Sequence, residues 1–130
     1  MSVKIPVKSN IAVKIRSARN AAYEQFFQVS RILKKDTPYQ QIIVLGTYPG
    51  GESVELAAYP EYYELDVQCL FLHFNMQLSK EKFKSTNQET LWTIWADDSN
   101  DDGDYNDLIV QLDLGNNFVN IEKFIDVEKP

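Results

Sequence analysis

The densest chemistry in the sequence is a run of carboxylates between Asp97 and Asp107. Six of these eleven residues are aspartates, namely Asp97, Asp98, Asp101, Asp102, Asp104 and Asp107. Carboxylates confined to so short a segment repel one another, which raises some of their pKa values and destabilises the folded chain. A hard divalent cation removes this cost, and calcium accepts about 6 to 8 oxygen ligands in flexible geometry. The run therefore predicts a calcium site, with magnesium the weaker choice because it requires a stricter octahedron.

The surrounding residues indicate that this run is an ordered loop between two strands. Apolar segments flank it at Leu91–Trp95 and Leu108–Leu114. Gly103 and Asn106 belong to residue types that tolerate left-handed backbone, so the chain is able to fold tightly around an ion. The alternative is a solvated acidic loop that only aids solubility, which is the usual role of a charge run. The purely acidic composition and the flanking strands favour the ion site.

An EF-hand also has to be considered, because Asp98, Asn100, Asp102 and Gly103 reproduce the first half of its loop. The second half does not match. Ile109 stands where the bidentate glutamate belongs, and the flanking segments have the composition of strands where helices are required. We therefore do not expect a helix-loop-helix sensor.

Outside the acidic run the chain is electrically balanced. Subtracting the six aspartates from the 19 acidic residues leaves 13, the same as the number of lysines and arginines. No basic face with interleaved aromatic residues stands out, so nucleic acid is not an expected partner. At 130 residues, with 44% of them hydrophobic, the chain is long and apolar enough for one folded domain spanning residues 1–130.

The sequence contains one thiol and one imidazole side chain. Cys69 is the only cysteine and His73 the only histidine, which excludes an internal disulfide and leaves little from which to build a zinc site or a catalytic triad. Asp97 and Asp101 could pair as the acid and base of a hydrolase. No separate partner carboxylate stands in a recognisable motif, so we do not expect an enzyme.

The chain has no segment that suggests membrane insertion. Residues 1–6 lack an apolar run of signal-peptide length, and no stretch approaches the roughly 20 apolar residues that cross a bilayer. We expect a protein that is cytoplasmic or is exported without a cleaved Sec-type signal.

Short apolar runs separated by turn residues predict an all-β fold. The predicted strands alternate in polarity or are rich in β-branched and aromatic residues; they are Gln41–Leu45, Ser53–Leu56, Tyr63–Cys69, Leu91–Trp95, Leu108–Leu114 and Phe118–Ile125. From Leu70 onward both faces of the strand that begins near Tyr62 become apolar, as in a strand covered on two sides. These features favour an antiparallel β-sandwich of about eight strands with Greek-key or jelly-roll-like connections.

Two segments leave their secondary structure open. Ser17–Lys34 has apolar residues at helical spacing behind a candidate Ser17 cap, but we favour strands around Val13–Arg16 and Phe26–Ser30. Ser79–Gln88 is rich in Lys, Ser and Asn, and it suits either a loop or a short helix.

The acidic run resembles the calcium-binding loop of the bacterial calcium-mediated lectins that bind fucose and mannose. The resemblance rests on the pattern Asp98-x-x-x-Asp102-x-Asp104-Tyr105-Asn106-Asp107, followed by an apolar strand. In that family the loop holds two adjacent calcium ions, which themselves chelate sugar hydroxyls. The resemblance implies that one ion is held by Asp98, Asp102, Asp104 and Asp107, while the second is shared by Asp104, Asn106 and Asp107.

The same resemblance implies two further residues at the site. Asn20 corresponds to an asparagine that the family supplies from an early strand, and Ser99 is a polar neighbour at the rim. On this basis the sugar-binding residues are Ser99, Asp104, Asn106 and Asp107. The lectins end about ten residues after the loop, and the terminal carboxylate reaches a partner's calcium. Here Asn116–Pro130 continue past that point, which puts such a shared ligand in doubt.

Two functions follow from these features. The first is a calcium-dependent carbohydrate-binding module for a fucose- or mannose-type sugar, with Tyr59, Tyr62 and Tyr63 as candidates for stacking on a sugar face. The second is a β-sandwich in which calcium is structural and the surface assembles with itself or with another protein. The sequence leaves open which sugar is bound, whether one or two ions are held, and whether the chain is a homo-oligomer.

Overall fold

The computed structural model describes residues 2–34, 40–98 and 105–118, which form ten strands in two antiparallel sheets. Sheet A consists of β1 (Val3–Val7), β3 (Glu24–Lys34), β4 (Gln40–Pro49), β6 (Tyr63–His73) and β7 (Asn75–Leu78). Sheet B consists of β2 (Val13–Arg19), β5 (Ser53–Leu56), β8 (Lys80–Thr86), β9 (Leu91–Asp97) and β10 (Leu108–Asp113). The predicted antiparallel β-sandwich is confirmed, with ten strands where about eight were expected.

The strand order brings distant parts of the sequence together. Sheet A has the order β1-β6-β3-β4, with β7 also paired to β6, and sheet B has the order β5-β2-β10-β9-β8. The described residues contain no helix with the length and apolar character needed to cross a membrane. Of the predicted strand Phe118–Ile125, all residues after Phe118 lie outside the described part of the chain.

Alternation of polar and apolar residues assigns the faces of the strands. In β6, Tyr63, Leu65, Val67, Cys69 and Phe71 all point into the space between the sheets and are at most 2% exposed. They meet inward side chains of the other sheet, such as Ile15, Val110 and Leu112, in one hydrophobic core. Burying a large aliphatic or aromatic side chain of this kind contributes about 1.5–3 kcal/mol. The core therefore holds the two sheets face to face, and Cys69 is the buried thiol that its neighbours predicted.

The two segments left open by the sequence are both extended. Within Ser17–Lys34 the chain completes β2 and then forms β3, so the favoured strand prediction is confirmed and the helix is excluded. Ser79–Gln88 is neither a loop nor a helix, because β8 occupies most of it and pairs with β9. β8 lies at the edge of sheet B and keeps most of its side chains in solvent, so it lacks the apolar alternation that identifies a half-buried strand.

Three turns gather at one end of the sandwich. Leu108, the first residue of β10, pairs with Arg19 at the end of β2 and with Ala96 near the end of β9. Glu24, the first residue of β3, pairs with Leu72 near the end of β6. The β2–β3 and β6–β7 connections and the two described ends of the β9–β10 connection therefore share this end, which we call the acidic end because Asp97, Asp98 and Asp107 lie there.

A partly buried glutamate joins the edges of the two sheets. β1 pairs with β6 as far as Val67, and β7 pairs with β6 from Leu70 onward, which leaves the backbone of Cys69 between the two paired segments. The Cys69 N–H donates a hydrogen bond of 3.2 Å to the carboxylate of Glu81 in β8, and the Cys69 carbonyl accepts one from the Ser79 N–H at 3.0 Å. Burial raises the pKa of Glu81 to about 7, against the opposing effect of the hydrogen bonds from Cys69.

This raised pKa predicts that the protein is more stable in mild acid than above neutrality. Between the ordinary value of 4.5 and about 7 the folded chain binds more protons at Glu81 than the unfolded chain, so the free energy of unfolding falls as the pH rises through that window. Urea unfolding midpoints at about pH 5.5 and about pH 8 measure this effect. Glu81→Gln should flatten the difference, whereas Glu55→Gln, at an exposed position on β5, should preserve it. An unchanged pH difference in Glu81→Gln would contradict the assignment.

Candidate functional site

The candidate site begins where β9 ends and β10 starts, at the two described ends of the acidic run. The backbone N–H of Asp107 donates to the carbonyl of Ala96 at 3.2 Å. The carboxylate of Asp107 in turn accepts a hydrogen bond of 2.8 Å from the backbone N–H of Asp98. Asp107 therefore closes the mouth of the β9–β10 hairpin and fixes Asp98 directly opposite to it.

Asn20 joins these two residues from the β2–β3 turn. Its backbone N–H donates to the carbonyl of Asp107 at 3.0 Å, because β2 and β10 are paired up to Arg19 and Leu108. The side chain of Asn20 is exposed. Asn20 and Asp107 are 87 positions apart in sequence, yet the fold makes them neighbours, as the lectin resemblance requires. Whether Asn20 is a metal ligand stays a prediction.

Gln25 ties the acidic run to sheet A, and sequence reasoning missed it. Its side-chain amide nitrogen donates to the carboxylate of Asp98 at 3.3 Å and to the carbonyl of Tyr23 at 3.2 Å. Gln25 is 1% exposed and Asp98 is 4% exposed. A signal existed in the sequence, since Gln25 precedes Phe27 and Val29 at the spacing of an inward face. A polar residue at such a position implies a buried partner.

The return side of the hairpin carries Tyr105 and Asn106. The backbone of Tyr105 has a positive φ of 53°, which reverses the chain as it approaches β10. The Lys82 ammonium of β8 lies 4.4 Å from the centre of the Tyr105 ring, a cation–π contact that attaches this residue to sheet B. Tyr105 is thus held beside the acidic run, and Asn106 lies between it and Asp107.

The structure describes only part of the predicted ligand set. Asp98, Asn106, Asp107 and Asn20 lie together at the acidic end, whereas Asp102, Asp104 and Ser99 fall outside the described residues. Residues 2–34, 40–98 and 105–118 by themselves contain no group of three or more His, Cys, Asp or Glu side chains arranged to hold a metal ion. The described donors are carboxylate and amide oxygens, which is the chemistry that calcium prefers.

The three tyrosines considered for sugar stacking are far from this site. Tyr63 is 1% exposed and packs edge-on against Tyr59 at 5.8 Å between ring centres, so its faces belong to the core. Arg31 covers the Tyr59 ring at 3.9 Å. Tyr62 is exposed, but it precedes β6, whereas the acidic end follows that strand, roughly 30 Å away. The stacking prediction for these residues is wrong.

Comparison with solved structures finds the same fold in bacterial lectins. A high-affinity mannose-binding lectin from Ralstonia solanacearum aligns with a TM-score of 0.64 and 20% identity, over 86% of this chain and 95% of that one. A lectin from Chromobacterium violaceum, solved in complex with α-methyl-fucoside, aligns with a TM-score of 0.55 and 16% identity, again over 86% and 95% of the two chains. The C-terminal domain of a lectin from Burkholderia cenocepacia aligns with a TM-score of 0.52 and 17% identity, over 88% and 98%.

By sequence comparison, no family model and no curated protein matches the chain. The structural alignments nevertheless cover almost the whole length of each lectin, so the similarity is one of entire domains. The chain therefore has the fold of the bacterial fucose- and mannose-binding lectins, which confirms the resemblance inferred from its Asp-rich segment.

Proposed function

We propose that the chain is a calcium-dependent carbohydrate-binding module whose site is the Asp97–Asp107 run together with Asn20. The observation that carries this proposal is the meeting of Asn20, Asp98 and Asp107 at one end of a lectin-like sandwich, through one backbone hydrogen bond and one bond from a backbone N–H to the Asp107 carboxylate. These residues come from two separate connections, and these hydrogen bonds fix their backbone. Such preorganisation lowers the cost of forming a multidentate oxygen site.

Electrostatics supports an ion at this place. Asp97 and Asp98, which are consecutive in sequence, are 1% and 4% exposed, so both carboxyl groups lie largely out of water, and the Asp107 carboxylate contacts the backbone N–H of Asp98. Burying charges of one sign together costs free energy, and a divalent cation offsets that cost. The amide oxygen of Gln25, next to Asp98, is buried without a hydrogen-bond partner among the described residues. An oxygen in this position suits the surroundings of a cation.

In the proposed mechanism, carboxylate and amide oxygens of the chain would hold calcium, and the ion would supply coordination positions for sugar hydroxyls. Asp98, Asp102, Asp104 and Asp107 would hold one ion, and Asp104, Asn106 and Asp107 would share a second, with Asn20 as a further ligand. Two vicinal hydroxyls offer the oxygen donors that calcium accepts. Ser99, at the rim, would donate or accept a hydrogen bond to the same sugar. A mannose- or fucose-type ring is the first candidate, because two of the structural neighbours are described with those sugars.

In a second candidate function, the protein binds calcium but does not bind a sugar. Burial of Asp97 and Asp98 gives calcium a stabilising role whether or not a glycan is present. In this alternative the ion rigidifies the acidic end of a sandwich that binds another protein or a second copy. Calcium binding without sugar binding distinguishes this function from the first.

Calcium should bind the metal-free protein and raise its melting temperature, because an ion that binds only the native state adds to its stability. Isothermal titration and thermal unfolding measure both effects. Asp104→Ala and Asp107→Asn should each weaken calcium binding at least about tenfold, or about 1.4 kcal/mol. Asparagine at position 107 still accepts the hydrogen bond from the Asp98 N–H, so the hairpin is retained. Glu55→Gln, which removes a distant surface charge, should bind calcium normally.

If calcium neither binds nor stabilises the protein, both candidate functions fail. If it binds and Asp104→Ala and Asp107→Asn have no effect, the ion lies elsewhere and the residue assignment is wrong.

Sugar binding should require calcium. The calcium-loaded protein should give a saturable heat of binding with methyl α-mannoside or methyl α-fucoside, and a chelator should abolish it. Loss of binding in Asp107→Asn, with retention in Glu55→Gln, would connect the sugar to the acidic end. Sugar binding that survives chelation excludes the calcium-bridged mechanism, and calcium binding with no response to either glycoside favours the structural alternative.

A further inference from the structure

We infer that Tyr23, His73 and Phe74 form a second binding surface beside the acidic run, which we call the aromatic ledge. Its ligand class is a ring attached to the anomeric oxygen of the calcium-bound sugar, either a second sugar or an aryl group. The inference rests on the proposed function, since the first sugar has to be held before its substituent can reach the ledge.

The three rings form a continuous stack. The Tyr23 and His73 rings have centres 4.4 Å apart and are inclined by 20°, and the His73 and Phe74 rings have centres 4.6 Å apart and are inclined by 31°. The Tyr23 hydroxyl lies 3.4 Å from Nε2 of His73. Below the stack, the Tyr23 ring also contacts Phe71, which is buried in the core. Tyr23 and His73 are therefore anchored to sheet A, and Phe74 extends from them into solvent.

The ledge adjoins the candidate site through one residue. The side-chain nitrogen of Gln25 donates both to the backbone carbonyl of Tyr23 and to the carboxylate of Asp98, so one hydrogen-bond donor links the backbone that carries the Tyr23 ring to the acidic run. Tyr23 follows Asn20 in the β2–β3 turn, His73 is the last residue of β6, and Phe74 is the single residue between β6 and β7. A sugar held at Asp98 and Asp107 would carry its substituents past this stack.

The side chain and backbone conformation of Phe74 do not favour the folded state, which points to a role other than stabilising the fold. The side chain is 98% exposed, although it is among the largest apolar side chains of the protein. Its φ of 67° lies in the left-handed region, which costs a residue with a Cβ roughly 1–2 kcal/mol and which glycine or asparagine would occupy more cheaply. Backbone preference and core burial both disfavour phenylalanine here. Contact with a ligand would account for its presence.

The composition of the ledge favours a small ring over a protein partner. Three rings present at most about 750 Å², and a standard protein interface takes about 800 Å² from each partner. The imidazole of His73 and the hydroxyl of Tyr23 add polar groups at the edge of an aromatic surface, which is typical of small-ligand sites. Leu72 and Met76 continue the apolar surface away from the acidic end, so self-association is the alternative that the experiment has to exclude.

Calorimetry with matched glycosides tests the ledge. With calcium present, the phenyl glycoside and a disaccharide of the preferred sugar should bind about three- to tenfold more tightly than the methyl glycoside, the usual gain from an aromatic contact. Phe74→Ala should remove this ratio and leave the affinity for the methyl glycoside unchanged; because the side chain is almost fully exposed, folding should be unaffected. Tyr62→Ala, an exposed aromatic at the opposite end, is the matched control and should keep the ratio.

The outcomes separate the two proposals. If the methyl glycoside does not bind in calcium, the proposed function fails and the ledge fails with it. If the methyl glycoside binds but the ratio is close to one, or if Phe74→Ala preserves the ratio, the ledge alone is overturned. Sedimentation velocity of the wild type and of Phe74→Ala provides the last criterion. A dimer that the substitution dissociates would show that the ledge is an interface between copies of the chain.

Discussion

The hydrogen bonds of Asp107 organise the acidic end of this molecule. Its N–H reaches Ala96, its carbonyl accepts from Asn20, and its carboxylate accepts from Asp98. These bonds form because β10 lies between β2 and β9. Asp107, the residue before β10, therefore lies beside Asn20, which follows β2, and beside Asp98, which follows β9. A single aspartate thereby joins two connections that are far apart in sequence, and the geometry of any ion site here follows from this junction.

The strands that could be predicted are those with one face in the core and one in solvent. β6 alternates from Tyr63 to Phe71, and its inward residues are the buried ones. The helical spacing in Ser17–Lys34 was misleading because long-range pairing decides between the two structures there: β2 pairs with β10, and β3 lies between β4 and β6. The sequence did not predict β8 as a strand, because an exposed edge strand needs no alternation of apolar and polar residues. Its lysines also discourage pairing with another chain, as is common at sheet edges.

For the candidate site, the sequence reveals the kinds of ligand but not their arrangement. Oxygen donors spaced within one short run already indicate calcium, since that inference needs only local composition. The contact of Asn20 with Asp107, the support from Gln25 and the ring stack at His73 all depend on strand register, which no short segment encodes. The aligned lectins are 16–20% identical to this chain and share its sandwich fold. A shared fold does not establish a shared ligand, so the function has to be argued from these contacts.

Comparison of Asp113 with the acidic run supports the proposal of a cation at the acidic run and not at Asp113. Asp113 is buried at the end of β10, and its carboxylate accepts hydrogen bonds from the N–H groups of Gly115 and Phe118 and from the side chain of Asn117. Burial raises its pKa, but these bonds outweigh the effect and hold the pKa below the ordinary value. One turn thus supplies enough donors for one carboxylate. The Asp97–Asp107 run places six carboxylates in eleven residues, so its N–H groups are shared among more charges, and the proposed cation would offset the mutual repulsion of the carboxylates.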